Sequence, residues 1–130
     1  APALPNELTY APYKRRHLEL QRQMGQAVDA LRQRVRDALA QASPALHQLA
    51  ALDATLEAAL AEQERHHLGA VVQRLERHVR QAQAAAAADW RTRALHTARQ
   101  VLLAELDLRL QPAQGLLDAM NAPDTQGDAA

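Results

Sequence analysis

Within residues 13–42, Met24, Val28, Leu31, Val35, Ala38 and Ala42 recur at alternating spacings of four and three. That heptad pattern lines one side of an α-helix with apolar groups. The other side carries Arg15, Arg22, Asp29 and Arg36 at seven-residue intervals, a charged outer stripe flanked by Glu19, Gln26 and Gln33. Ser43-Pro44 is the clearest boundary, because Ser is a good N-cap and Pro suits the first helical position. Beyond it Leu49, Leu52, Leu56 and Leu60 share one face of a second helix, with Leu46 beside them. Past Leu60 the apolar phase slips to Leu68, Val71, Val72, Leu75, Val79 and Ala82, which predicts a turn near residues 61–64 and a third helix. The competing pattern is one continuous helix over residues 61–110, ~75 Å long.

The third helix ends within the alanine run 84–88, and Asp89 is placed to cap a fourth over residues 90–110. Its apolar face is Leu95, Ala98, Leu102, Leu106 and Leu110, and Pro112 stops or kinks it. Residues 115–120 form a short amphipathic helix folded back on the rest. The expected architecture is all-α: an antiparallel helical bundle of about four main helices plus a short C-terminal helix, spanning residues 13–121. Pro2, Pro5 and Pro12 predict an extended lead-in over residues 1–12. Residues 122–130 are small, polar and acidic and read as a disordered tail.

Composition strengthens the helical assignment and narrows the function. Ala, Leu, Gln, Arg and Glu dominate, glycine is scarce, and aromatic residues make up 2% of the 130-residue chain. Fifteen basic and fifteen acidic residues cancel, so the whole molecule lacks the field that gathers nucleic acid or an anionic membrane. Lys14 is the only lysine among the basic residues, a bias better explained by GC-rich codon usage than by bidentate anion recognition. Cysteine is absent, which excludes disulfides and thiol catalysis. No apolar run approaches a membrane span and no signal peptide is visible, so direct membrane insertion is not expected.

A search for chemistry finds no constellation. Glu64 and His67 form one Glu-x-x-His, which di-iron bundles use twice, and the second copy is missing. His67 and His78 lie eleven residues apart, ~16 Å along a helix and too far for one ion. Ser43, the only serine, is accounted for by capping. Carboxylates pair along helix surfaces, as Glu76 with Arg80, Asp89 with Arg93 and Glu105 with Arg109. No catalytic, metal-binding or cofactor-binding residue is assigned, no small-molecule substrate is implied, and the chain is expected not to be an enzyme. Lys14, Arg15, Arg16, Arg22, Arg32, Arg34 and Arg36 make the first helix locally basic, which supports nucleic-acid binding as the alternative function. The neutral total and the shortage of stacking aromatics count against it. The basic cluster at residues 14–16 suggests an acidic neighbour. Residues 44–64 hold Asp53, Glu57, Glu62 and Glu64 with no Lys or Arg, complementary to the first helix as an antiparallel neighbour. Leu18, Leu20, Leu103, Leu108, Leu116 and Leu117 exceed one narrow core face. The preferred function is therefore a protein–protein interaction module, binding a protein partner or its own copy. Arg15, Arg22, Arg36, Leu108, Leu116 and Leu117 are its candidate contacts.

Three stretches, 10–24 (YAPYKRRHLELQRQM), 43–53 (SPALHQLAALD) and 102–117 (LLAELDLRLQPAQGLL), resemble an uncharacterised proteobacterial family, a domain of unknown function. The resemblance covers residues 10–120, and this chain is similar to the C-terminal helical part of its members. The family carries no assigned activity, so no functional residue is transferred. Its genes are similar in setting to accessory genes beside MotA/ExbB-like and OmpA/MotB-like proteins, including the Zorya type of antiphage system. The resemblance thus implies a cytosolic accessory protein of a proton-driven membrane complex.

Overall fold

The computed structural model describes residues 5–85 and 88–122, with side chains from residue 11 onward. Among them are three long helices and no strand: α1 (Pro5–Ala42), α2 (Pro44–Ala84) and α3 (Trp90–Asn121). The expected four helices and short fifth are corrected to three, because two predicted breaks do not occur. Residues 61–64 are Ala, Glu, Gln and Glu, all good helix formers, so the apolar phase moves to a different face of an unbroken α2. Pro112 lies inside α3, and the predicted short helix is simply its last turns. Pro12 likewise lies inside α1, which begins at Pro5, so residues 5–12 are helical rather than extended. Proline at the first position of a helix loses nothing, since that N–H has no intrahelical acceptor. Residues 1–4 of the expected lead-in and 123–130 of the expected tail lie outside the described residues.

The turn between α1 and α2 is a single extended residue. Ser43 has φ −163° and ψ 161°, and its Oγ accepts a hydrogen bond from the Leu46 N–H at 3.1 Å. The break between α2 and α3 falls at residues 85–89. This excludes a continuous helix over residues 61–110. Asp89 makes no side-chain cap, and its carboxylate accepts instead from Arg93 Nε at 3.0 Å.

All three helices pack on one another. α1 and α2 run antiparallel and α3 runs parallel to α1, since Tyr13 packs beside Trp90 while Leu39 packs beside Leu116. At 32 to 41 residues each, the helices span roughly 48–62 Å, so the bundle is a rod. Apolar packing gathers at its two ends. One cluster is Val79, Trp90 and Ala94 with Tyr13 and Ala82 against it. The other is Val35, Leu39, Ala50 and Leu116, supported by Leu46, Leu49, Leu117 and Met120. Between them the interior mixes the buried apolar residues Val28, Val72 and Leu75 with His17, Gln21, Arg36, Asp53 and Glu105, also buried.

That polar middle departs from the seam expected for α1. Val28 and Val35 are buried as the heptad predicts, but Leu31 and Ala38 are exposed, and His17, Gln21 and Leu39 are buried in their company. A helix wedged between two others buries a broad arc, and the arc here is turned toward residues that have carboxylate partners. α2 is rotated in the same sense. Ala50 and Asp53 face inward, while Leu52, Leu56 and Leu60 of the predicted core face are 55%, 48% and 51% exposed.

Candidate functional site

The interior charges form one compact network. Arg32 grips Asp53 with both arms of its guanidinium, Nε to Oδ2 at 2.8 Å and Nη2 to Oδ1 at 2.7 Å. Arg36 Nη1 reaches the same Oδ2 at 3.0 Å, and its Nη2 reaches Glu57 at 3.3 Å. Arg32 Nη1 lies 3.0 Å from Glu57 Oε2. Arg32 and Arg36, one turn apart on α1, therefore meet Asp53 and Glu57, one turn apart on α2. Arginine suits this placement because its planar fork matches a carboxylate bidentately. The hydrogen bonds from Arg32, reinforced by Arg36, hold the Asp53 carboxyl below its ordinary range despite the opposing effect of burial.

A folded-state pKa below the unfolded one adds stability at pH values above the unfolded value, ~4 for aspartate, and loses it as pH falls further. The urea midpoint is therefore expected to stay level from neutral pH to ~5 and to drop below ~4. Glu76, lowered by its 2.8 Å bond from Lys14 Nζ, adds in the same direction. An Asp53→Asn variant should show a shallower acid limb; an unchanged limb would remove Asp53 from the explanation.

A second polar group lies further along the rod. Gln21 Nε2 donates to Glu105 Oε1 at 2.7 Å, and His17 Nε2 stands 3.9 Å from the same oxygen. Arg109 crosses from α3 to donate its Nη1 to the Gln21 carbonyl at 2.9 Å. Gly25 makes room for that guanidinium, since a Cβ at residue 25 would stand 2.8 Å from Arg109 Nη1. Both ring nitrogens of His17, Oε2 of Glu105 and Nε of Arg109 are buried without a hydrogen-bond partner among the described residues. No three His, Asp or Glu side chains among the described residues converge on a point that would hold a metal ion.

Charge thus shares the middle of the bundle with Val28, Val72 and Leu75, and the leucines in the first half of α2 lie outside. Leu52, Leu56 and Leu60 form a stripe along α2, and Leu108 of α3, 65% exposed, stands on the far wall of a groove that begins at Leu60. The groove encloses about 550 Å³. Leu60, Leu68, Val71, Leu108 and Pro112 give it an apolar lining, interspersed with Arg32, Glu57, Glu64, Glu105 and Arg109. An apolar strip rimmed by polar groups is the chemistry of a helix-docking surface.

The six candidate contacts do not form one surface. Arg15 is exposed, and exposed Arg22 is held by Glu19 one turn away, with Nε to Oε2 at 3.1 Å. Arg36 is buried in the ion network rather than on an outer stripe. Leu116 is core, and Leu117 is half-buried against the same cluster. Leu108 alone of the three leucines is fully available. Three expected pairings are found: Glu76 with Arg80 at 3.0 Å, Asp89 with Arg93 at 3.0 Å, and Lys14 with Glu76 as the acidic neighbour of the basic cluster. The complementarity of α1 with the acid-only half of α2 is also found, in the interior and not at the surface. Glu105 does not pair with Arg109, because the two turn to different partners. Sequence reasoning missed Leu52, Leu56 and Leu60 as surface residues. The available signal was Asp53, which falls among those leucines and must face an arginine.

A family model described as a protein of unknown function (DUF3348) matches residues 2–122. The chain belongs to that family. The match spans all three helices, so the ion network and the leucine stripe are both part of the DUF3348 domain. No curated protein and no solved structure matches the chain. No helix among the described residues is long and apolar enough to cross a membrane.

Proposed function

We propose that this DUF3348 chain is a non-catalytic helical interaction module whose docking surface is the leucine stripe of α2 and its border with α3. The observation that carries this reading is the inversion of the bundle's middle. Arg32, Arg36, Asp53 and Glu57 take the interior, while Leu52, Leu56 and Leu60 face solvent. Exposed leucines at helical spacing favour an amphipathic partner helix, which would remove them from water and gain about 1.5–3 kcal/mol for each fully buried side chain before the costs of association. The basic character of α1 supports nucleic-acid binding less than its composition suggests. Lys14, Arg22, Arg32 and Arg36 are each engaged by a carboxylate of the chain itself. The resemblance of the three sequence stretches supports placing the module in the cytoplasm, as an accessory protein of a proton-driven membrane complex in antiphage defence.

The test is the triple substitution Leu52→Gln, Leu56→Gln and Leu60→Gln. Because these side chains are about half exposed, the variant is expected to keep its helix content and melt within a few degrees of the wild type. It should also lose capture of the partner that immobilised wild type retains from a host lysate. Unfolding of the triple variant would show the stripe to be core. Undiminished capture would place the contact surface elsewhere.

A further inference from the structure

We infer that the leucine stripe of α2 is occupied by the same stripe of a second copy, the two α2 helices pairing antiparallel about a two-fold axis at Leu56. This rests on the docking reading above and names its occupant. A two-fold interface must be self-complementary, so each residue on one side has to suit the residue it meets on the other. In an antiparallel pair centred on Leu56, residues whose numbers are equally spaced on either side of 56 face each other. Leu56 then meets its own counterpart, Leu52 meets Leu60 of the second copy, and Leu49 meets Gln63 at the rim. Neighbouring axes fail this test. Centring on Leu60 sets Leu56 against Glu64, and centring on Leu52 sets Leu56 against Gln48 and Leu60 against Pro44.

Electrostatics agrees with the same register. Residues 44–64 carry four acids and no Lys or Arg, so two such helices laid together would ordinarily repel. Here Asp53 and Glu57 are already neutralised by Arg32 and Arg36 of their own α1. Of the remaining two, Glu64 falls opposite the uncharged Gln48, and Glu62 lies off the stripe, about 120° around the helix from Leu56. No acid meets an acid. The side chains beside the leucines include the exposed alanines Ala45 and Ala59, small enough for helix axes to approach to ~8–10 Å. Leu108 of α3 borders Leu60 across the groove, and so continues the apolar patch toward Leu52 of the second copy.

The chain has no cysteine, so introduced thiols report the register without background. Under mild oxidation Leu56→Cys is expected to give a covalent dimer in high yield, because the axis holds the two positions within the Cα separation a disulfide needs. Leu52→Cys and Leu49→Cys, whose copies stand ~12 Å and ~21 Å apart across the axis, should remain uncrosslinked. The double variant Leu52→Cys with Leu60→Cys should cross-link again, now between unlike positions. Wild type is expected to sediment as a dimer and the triple glutamine variant as a monomer. A folded Leu56→Cys protein that stays monomeric, or Leu49→Cys cross-linking as readily as Leu56→Cys, overturns the self-pairing. The docking reading fails separately, by undiminished lysate capture or by unfolding of the triple glutamine variant.

Discussion

Asp53→Ala lowers the stability of this bundle by about 3–5 kcal/mol, the expected cost of removing one partner from a buried ion network. Asp53 is buried beneath Arg32 and Arg36, and its carboxylate accepts three hydrogen bonds from them. Without it, two guanidinium groups share one half-buried carboxylate, Glu57. Two positive charges at close range in a partly desolvated site repel each other, and neither can move to water without opening the α1–α2 interface. The loss is a large share of the 5–15 kcal/mol that holds a domain of this size. A chemical denaturation midpoint measures it. A companion variant that replaces the whole network, Arg32→Met with Arg36→Leu, Asp53→Leu and Glu57→Met, is expected to match or exceed wild-type stability, because apolar replacements of similar volume avoid the desolvation cost and leave no charge unpaired. If Asp53→Ala costs less than ~1 kcal/mol, the network behaves like an exposed pair and not a buried one.

Leu116→Asp is expected to unfold the chain, whereas Leu108→Asp is expected to leave it folded. Leu116 packs with Leu39, Ala50 and Val35 in the cluster that joins all three helices at one end of the rod. Removing a buried leucine costs roughly 2–5 kcal/mol, and placing an unpaired carboxylate in the gap adds several more unless it is protonated. The sum meets or exceeds the stability of a domain this small. Leu108, 65% exposed on the groove wall, has little burial to lose. Helical circular dichroism with a thermal melt separates the two. A folded Leu116→Asp protein would mean that the α3 end is held by something other than this cluster. The contrast matters because the two leucines, eight residues apart, look equivalent as surplus apolar positions in the sequence.

Much of the architecture is legible in the residues alone. Helix formers throughout, scarce glycine and 3.6-residue periodicity determine an all-α chain, and local chemistry determines the Ser43-Pro44 boundary. The pairing of an Arg-rich first helix with an acid-only stretch of the second was equally legible, since opposite charge selects its neighbour at any depth. Helix number was not legible, because Pro12, Pro112 and a phase slip at residues 61–64 look like breaks one by one. Each is a local cost, and packing along a rod of three continuous helices outweighs it. Nor did apolar periodicity alone determine which side of α2 faces inward. Leu52, Leu56 and Leu60 are as apolar as Val72, Leu75 and Val79, and only the rotation of α2 sends one set out and the other in. That rotation is decided by the tertiary structure for a physical reason: Asp53 cannot be buried without Arg32 and Arg36, and turning α2 to join them carries its leucines to the surface.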